Sequence, residues 1–320
     1  MVKRLLGLCS IALISATIGI VAGAVPASAA TVDFTGIVAL SNCSGSVVRP
    51  VDAGPNDPAY VLTNGHCVKF FAPGEVIVDQ KTSRTFSLLD STGTRSIGTL
   101  RANRLAYATM THTDIALYRL SLSYAQIQQR YGTPALALSA SHPATGTAIK
   151  VVSGYWKTIY DCQIEAFVYQ LREYQWTWSD SIRYASAASC QTIGGTSGSP
   201  VIDAASGAVV GVNNTANENG ETCTLDNPCE VDEFGNITVR FGARYGQQTY
   251  QINTCIGAGN TINLSLPGCA LPKPAAVSWV AARSGASTVG AGVAVCSARG
   301  IRAILAPCGH PSDAVPGGGR

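Results

Sequence analysis

Gly194-Gly195-Thr196-Ser197-Gly198-Ser199-Pro200 is the stretch of this 320-residue chain on which the reading turns. Glycines on both sides of Ser197 let the backbone turn tightly and leave the hydroxyl exposed, because glycine has no Cβ and enters positive φ freely. The same freedom lets backbone N–H groups converge on a carbonyl oxygen that gains negative charge when it is attacked. A Gly/Ser-rich hairpin turn has the same composition. The stretch therefore needs partners elsewhere before its serine is read as a nucleophile, since amide hydrolysis also demands a proton carrier.

Two segments further upstream supply candidates. In Val61-Leu62-Thr63-Asn64-Gly65-His66-Cys67-Val68 a histidine closes an apolar strand and sits beside a cysteine. Cys67 can pair with Cys43 and so pin the loop that carries the imidazole. In Thr113-Asp114-Ile115-Ala116-Leu117 a carboxylate stands immediately before another apolar strand. Alone, a histidine there is a satisfied core or surface residue and an aspartate there is a strand end. They occur in the order His66, Asp114, Ser197, at spacings of 48 and 83 residues.

Together these three motifs resemble the chymotrypsin-like (trypsin-fold) serine peptidase family, over roughly Thr31 to Leu266. The resemblance implies an all-β fold of two six-stranded antiparallel β-barrels with the active site in the cleft between them. It also implies roles. Ser197 attacks the scissile carbonyl, His66 carries the proton, and Asp114 holds the imidazole tautomer. The N–H groups of Gly195 and Ser197 form the oxyanion hole.

Departures from the family pattern carry expectations of their own. In trypsin an aspartate precedes the nucleophile and pairs with a freshly cut N-terminus; here that position is Thr196, so no switch of that kind is expected. The Thr-Asn-Gly-His and Gly-x-Ser-Gly-Ser-Pro forms look like the bacterial branch, which includes glutamyl endopeptidases. Those use a histidine in the strand after the nucleophile, and Gly211-Val212-Asn213-Asn214-Thr215 has none. The resemblance places the substrate-binding pocket near Gln191, Thr192 and Asn213, and an uncharged S1 pocket is the expectation. Within this picture, and by proximity along the chain, Cys162 pairs with Cys190, Cys223 with Cys229, and Cys255 with Cys269.

Organisation along the chain agrees with an all-β reading. Apolar segments are short and punctuated by Gly, Asn, Asp and Ser. Ala59 to Leu62, Asp114 to Leu120 and Ala208 to Val212 read as strands, and Ile237-Thr238-Val239-Arg240-Phe241 alternates as a strand with one buried face. One helix is expected where Ser123 and Gln126 form a capping-box spacing and Gly132 stops the turn. It falls where a linker between two β units would sit. Four regions follow: 1–29 as a signal peptide, 30–125 and 126–271 as the two barrels, and 272–320 as a low-complexity tail containing Cys296 and Cys308.

The amino-terminal region begins with Lys3 and Arg4, runs apolar from Leu5 to Ala24, and continues into Ala27-Ser28-Ala29, the pattern of a secretory signal. Export makes the ten cysteines after Cys9 readable as disulfides. No Cys-x-x-Cys, His-Glu-x-x-His, EF-hand, P-loop or dinucleotide motif occurs, so no metal and no cofactor is expected. A net charge of +3 argues against nucleic acid or an acidic membrane as partner. A secreted, monomeric serine endopeptidase acting on protein or peptide substrates is the leading reading. A glutamyl-type endopeptidase and a catalytically silent binding module on the same fold are the alternatives. An α/β-hydrolase esterase fits less well, because its elbow needs Gly-x-Ser-x-Gly and the last position here is Ser199.

Overall fold

Strands are the main regular structure of residues 30–275, the part of the chain that the computed structural model describes. The signal segment 1–29 and the tail from residue 276, with Cys296 and Cys308, lie outside the described residues.

The first sheet holds β1 (Ile37–Ala39), β2 (Ser44–Arg49), β3 (Pro58–Thr63), β4 (Val76–Lys81), β5 (Thr85–Leu89), β6 (Ser96–Thr109), β7 (Ile115–Ser123) and, after the helix α1 (Tyr124–Tyr131), the short β8 (Leu136–Ala137). Six of these close on themselves in the order β1-β5-β6-β7-β3-β2, with β2 pairing back onto β1. All six pairings are antiparallel. Strand β6 is long enough to serve two partners: its first half pairs with β5 and its second half with β4. Register shifts against β7 at Ala102/Arg104 and Leu105/Tyr107 let it bend around the barrel.

The second sheet holds β9 (Ala148–Ser153), β10 (Thr158–Glu173), β11 (Trp176–Tyr184), β12 (Pro200–Asp203), β13 (Val209–Ala216), β14 (Cys229–Val231), β15 (Ile237–Thr238) and β16 (Arg244–Gln248). Its six-strand ring runs β11-β16-β13-β12-β9-β10 and closes by β10 pairing with β11. The fold is thus a pair of antiparallel β-barrels, as the family resemblance implies.

Strand pleat explains why the two barrels hold together. Successive side chains point to opposite faces. In β3, Val61 joins the core around Val47, Phe86 and Leu100, while Tyr60 and Leu62 face a second core. In β7, Ala116, Tyr118 and Leu120 take the first face, and Ile115 and Leu117 the second. In β9 and β12, Val151 and Val201 pack with Ile149, Ile164 and Ile182, while Val152 and Ile202 meet Tyr60, Leu62 and Leu117 from the first barrel. Strands buried on both faces read as continuous apolar runs rather than alternating ones. Each fully buried Val, Leu or Ile contributes roughly 1.5–3 kcal/mol, so the shared core is a large part of the stability.

The expected helix is present as α1. The Ser123 side chain accepts from the Gln126 N–H, the Gln126 side chain accepts from the Ser123 N–H, and Gly132 ends the helix at φ +67°. One strand expectation needs correction. Only Ile237 and Thr238 of the alternating run 237–241 form a strand, and Ile237 and Phe241 are exposed. That strand is the outermost of its sheet and pairs only with β14, so no layer covers either face. Alternation reports amphipathy, and amphipathy creates a buried face only where something packs over it. Among the described residues no helix is long and apolar enough to cross a membrane.

Candidate active site

His66 sits in the turn that follows β3, and Asp114 immediately precedes β7, the neighbouring strand. Adjacent antiparallel strands thus bring together two residues 48 apart. The Asp114 carboxylate is fully buried and binds His66 twice: Oδ1 accepts from the backbone N–H at 3.0 Å, and Oδ2 contacts ring Nδ1 at 2.6 Å. Because a carboxylate accepts only, Nδ1 carries the hydrogen and Nε2 is left as the basic nitrogen. Burial pushes the imidazole pKa down, but the charge and hydrogen bond of Asp114 outweigh it, and His66 ends above its ordinary value.

Ser197 lies between β11 and β12, in the loop quoted at the outset. It lines one cleft with His66 and Asp114, a cavity of about 110 Å³. Its hydroxyl donates to the Asn214 carbonyl at 3.3 Å, and among the described residues no hydrogen bond joins it to His66. Two backbone donors beside it have no protein acceptor among the described residues, the N–H groups of Gly195 and Ser197. Gly195 has φ +86°, and a Cβ there would stand 3.0 Å from both Trp156 Nε1 and Tyr155 Cδ1. Only glycine suits that backbone and that space.

Several side chains that hold this loop carry no sequence signal. Trp156 Nε1 donates to the Gly194 carbonyl at 2.7 Å. The carbonyl and N–H of one trans peptide point in opposite directions. Anchoring the Gly194 oxygen therefore fixes the direction of the Gly195 N–H. Asn64 bridges the two halves of the site, donating to the Asp114 carbonyl at 2.8 Å and accepting from the Gly198 N–H at 2.5 Å. Ser44, next to Cys43, donates its N–H to the Ser197 carbonyl at 2.8 Å and its hydroxyl to the Gly195 carbonyl at 3.3 Å. Disulfides join Cys43 to Cys67, Cys162 to Cys190, Cys223 to Cys229 and Cys255 to Cys269. The sulfurs nearest His66 are thus bridged rather than free thiolates that could take a metal.

A family model described as a trypsin-like peptidase domain matches residues 43–212, more than half of the chain, and spans all three residues. The chain belongs to the trypsin-like peptidase family. Solved structures similar to this trypsin-like peptidase include the MamO protease domain from Magnetospirillum magneticum, at 14% identity and TM-score 0.40 over 67% of this chain and 92% of that one. A Glu endopeptidase is similar at 16% identity and TM-score 0.39, over 67% and 85%. The Nocardiopsis protease is similar at 16% and 0.38, over 68% and 93%. These values are too low to bear on activity. No match was found among curated proteins.

In this trypsin-like peptidase the residue before the serine, Thr196, is buried in a neutral network. Its hydroxyl donates to the Ile193 carbonyl at 2.5 Å and accepts from Asn213 Nδ2 at 3.1 Å. Thr192 and Asn213 line the cleft. Gln191 does not: it is exposed, and its Nε2 donates back to the Ala187 carbonyl at 2.7 Å. It closes the turn after Cys190 instead of facing substrate. The cleft as a whole carries charge. Besides Asp114 it is lined by Glu173, Glu218 and Asp226, which belong to none of the sequence motifs.

Proposed function

We propose that Ser197, His66 and Asp114 are the catalytic triad of a secreted endopeptidase that hydrolyses peptide bonds through an acyl-enzyme. The observation that carries this is the double grip of a fully buried Asp114 carboxylate on His66, with Ser197 in the same cleft. In this mechanism the Ser197 hydroxyl exchanges the Asn214 carbonyl for His66 Nε2 as its partner. The imidazole then takes the hydroxyl proton as Oγ attacks the scissile carbonyl. The oxyanion points to the N–H groups of Gly195 and Ser197, and the imidazolium gives its proton to the leaving amine. Water repeats the sequence on the ester. Each oxyanion donor is worth about 10²–10³ in rate.

The two barrels divide as 30–125 and 126–271 in this reading, with 1–29 removed on export. Four disulfides support an oxidising destination. The Ser197–Asn214 hydrogen bond favours one other reading, a silent binding module whose serine never engages the base. Looseness of this kind is common in unliganded serine enzymes, so it does not outweigh the His66–Asp114 geometry. Labelling with a fluorophosphonate probe and mapping the adduct by peptide mass spectrometry tests the proposal. A single adduct on Ser197 that vanishes in His66→Ala supports the triad. A folded protein that takes no label is the binding module.

A further inference from the structure

Glu173 ends β10 at the wall of the cleft and is only 4% exposed. Its Oε2 accepts from Thr215 Oγ1 at 2.7 Å and its Oε1 from the Asp226 N–H at 3.1 Å. Two ionised oxygens offer about four acceptor sites, so half of the capacity is unused. No ion pair among the described residues involves Glu173. A carboxylate buried without a counter-ion is costly. Burial raises its pKa to about 7, with the Thr215 and Asp226 hydrogen bonds acting the other way.

Three further observations say what relieves that cost. Every charged residue lining the cleft other than His66 is acidic, since Glu218 and Asp226 join Asp114 and Glu173 and no lysine or arginine is present. Next to them, at the end of β13, Asn214 is 4% exposed and both its side-chain polar atoms lack a protein partner, as does Asn213 Oδ1. Both asparagines line the cleft, so its wall holds buried polar atoms that the chain itself leaves unpartnered. Finally, the exposed Phe70 stands over the buried Trp176 with ring centroids 5.5 Å apart and gives the cleft an exposed aromatic edge along which an aliphatic stem can lie.

We propose that the cleft selects peptides carrying a lysine or arginine side chain close to the scissile bond, and that Glu173, helped by Asp226 and the unpaired amide oxygens of Asn213 and Asn214, is the residue that reads it. This rests on the peptidase reading of the same cleft. It departs from both the uncharged pocket and the glutamyl alternative: a glutamate side chain would meet four carboxylates and no cation there. The charge sits on the side wall contributed by β10, in place of the pocket floor just before the nucleophile.

The experiment is a set of fluorogenic peptides in which Lys, Arg, Gln, Leu or Glu is placed in turn at each of the three residues before the scissile bond. Cleavage is compared as kcat/KM for wild type, Glu173→Gln and Asp226→Asn, with fluorophosphonate labelling of Ser197 run on each protein. At one position the basic peptides are expected to exceed the Gln peptide at least tenfold. That ratio should fall at least fivefold in Glu173→Gln and twofold or more in Asp226→Asn. Asp226 is exposed and asparagine tolerates its positive φ of 58°, so this second variant folds even if the first does not. A labelled, active enzyme with equal rates on Lys and Gln peptides at all three positions, or with a preference for Glu, overturns the inference and leaves the peptidase reading standing. A basic preference that survives Asp226→Asn and a folded Glu173→Gln also overturns it. Failure of label and of all cleavage brings down the peptidase reading first, and the inference with it.

Discussion

Asp114 acts on a substrate only through His66, and that makes it a sharp place to probe the site. Replacing it by asparagine keeps the volume and both backbone contacts of the loop but offers an amide where Nδ1–H needs an acceptor. The tautomer with hydrogen on Nε2 is then favoured, and kcat is expected to fall by about 10⁴ while circular dichroism is unchanged. The pH profile is a second probe. Only unprotonated His66 can accept the serine proton, and its pKa is raised above 6.5, so kcat/KM on a neutral peptide should climb with a midpoint above that value. Glu173 and Asp226 contribute to this raising. Glu173→Gln is therefore expected to move the midpoint to lower pH, a shift readable from initial rates between pH 5 and 9. The ratio of basic to neutral cleavage has its own titration. Glu173 loses its charge as pH falls through about 7, so the preference should weaken below pH 7, with His66, Asp114, Glu218 and Asp226 the other ionisable groups facing it. A ratio constant from pH 5.5 to 8.5 would remove Glu173 from that role.

At the scale of elements, the oxyanion peptide depends on a clamp between the turn after β9 and the nucleophile loop. Trp156→Phe keeps the ring against Gly195 and loses the donor to the Gly194 carbonyl. Loosening one donor should cost less than deleting it. A fall of about tenfold in kcat with KM changed far less is expected, since the contact is one the transition state uses. The loop bearing His66 depends on a different tie. The Cys43–Cys67 bridge closes a segment of sequence separation 24, and a bridge of that span is worth about 3 kcal/mol. Removing both cysteines as alanines should lower Tm by roughly 6–12 °C for a domain of this size. Activity measured well below the new Tm should drop as well, because Cys67 adjoins the imidazole. A variant with unchanged Tm would mean the bridge carries no structural load.

The whole molecule is held by a core that neither barrel owns. Tyr60, Leu62, Ile115 and Leu117 pack against Val152, Ile202, Val209 and Val212, and indole donors cross the same boundary, Trp176 to the Phe71 carbonyl at 2.8 Å and Trp178 to the Met110 carbonyl at 3.1 Å. Separating the barrels would expose all of this to water. Residues 30–275 should therefore unfold in a single transition, with near-UV signal, far-UV signal and activity lost together on heating. Two calorimetric transitions would show that the shared core is weaker than its burial implies. Gly198 marks how close the approach is. At φ +79°, any Cβ there would overlap Thr63 Oγ1 and the Ser44 carbonyl of the other barrel. Gly198→Ala is expected to fail to fold rather than to lose activity alone.

Features encoded locally were legible from the chain alone. The capping box at Ser123 and Gln126, the apolar runs of β3 and β7, and the glycines around Ser197 act through near neighbours, so they are legible residue by residue. The family pattern extended this to the order of His66, Asp114 and Ser197. The tertiary structure decided whatever depends on distant segments meeting. Gln191 and Thr192 are adjacent in the chain, yet a turn sends one to solvent and the other into the cleft. The run 237–241 alternates, yet its edge position leaves it uncovered. Trp156, Glu173 and Asp226 gain their meaning only when barrel closure brings three separate loops around one serine. Charge, burial and hydrogen bonding are properties of a surrounding, and a surrounding does not exist until the chain has folded.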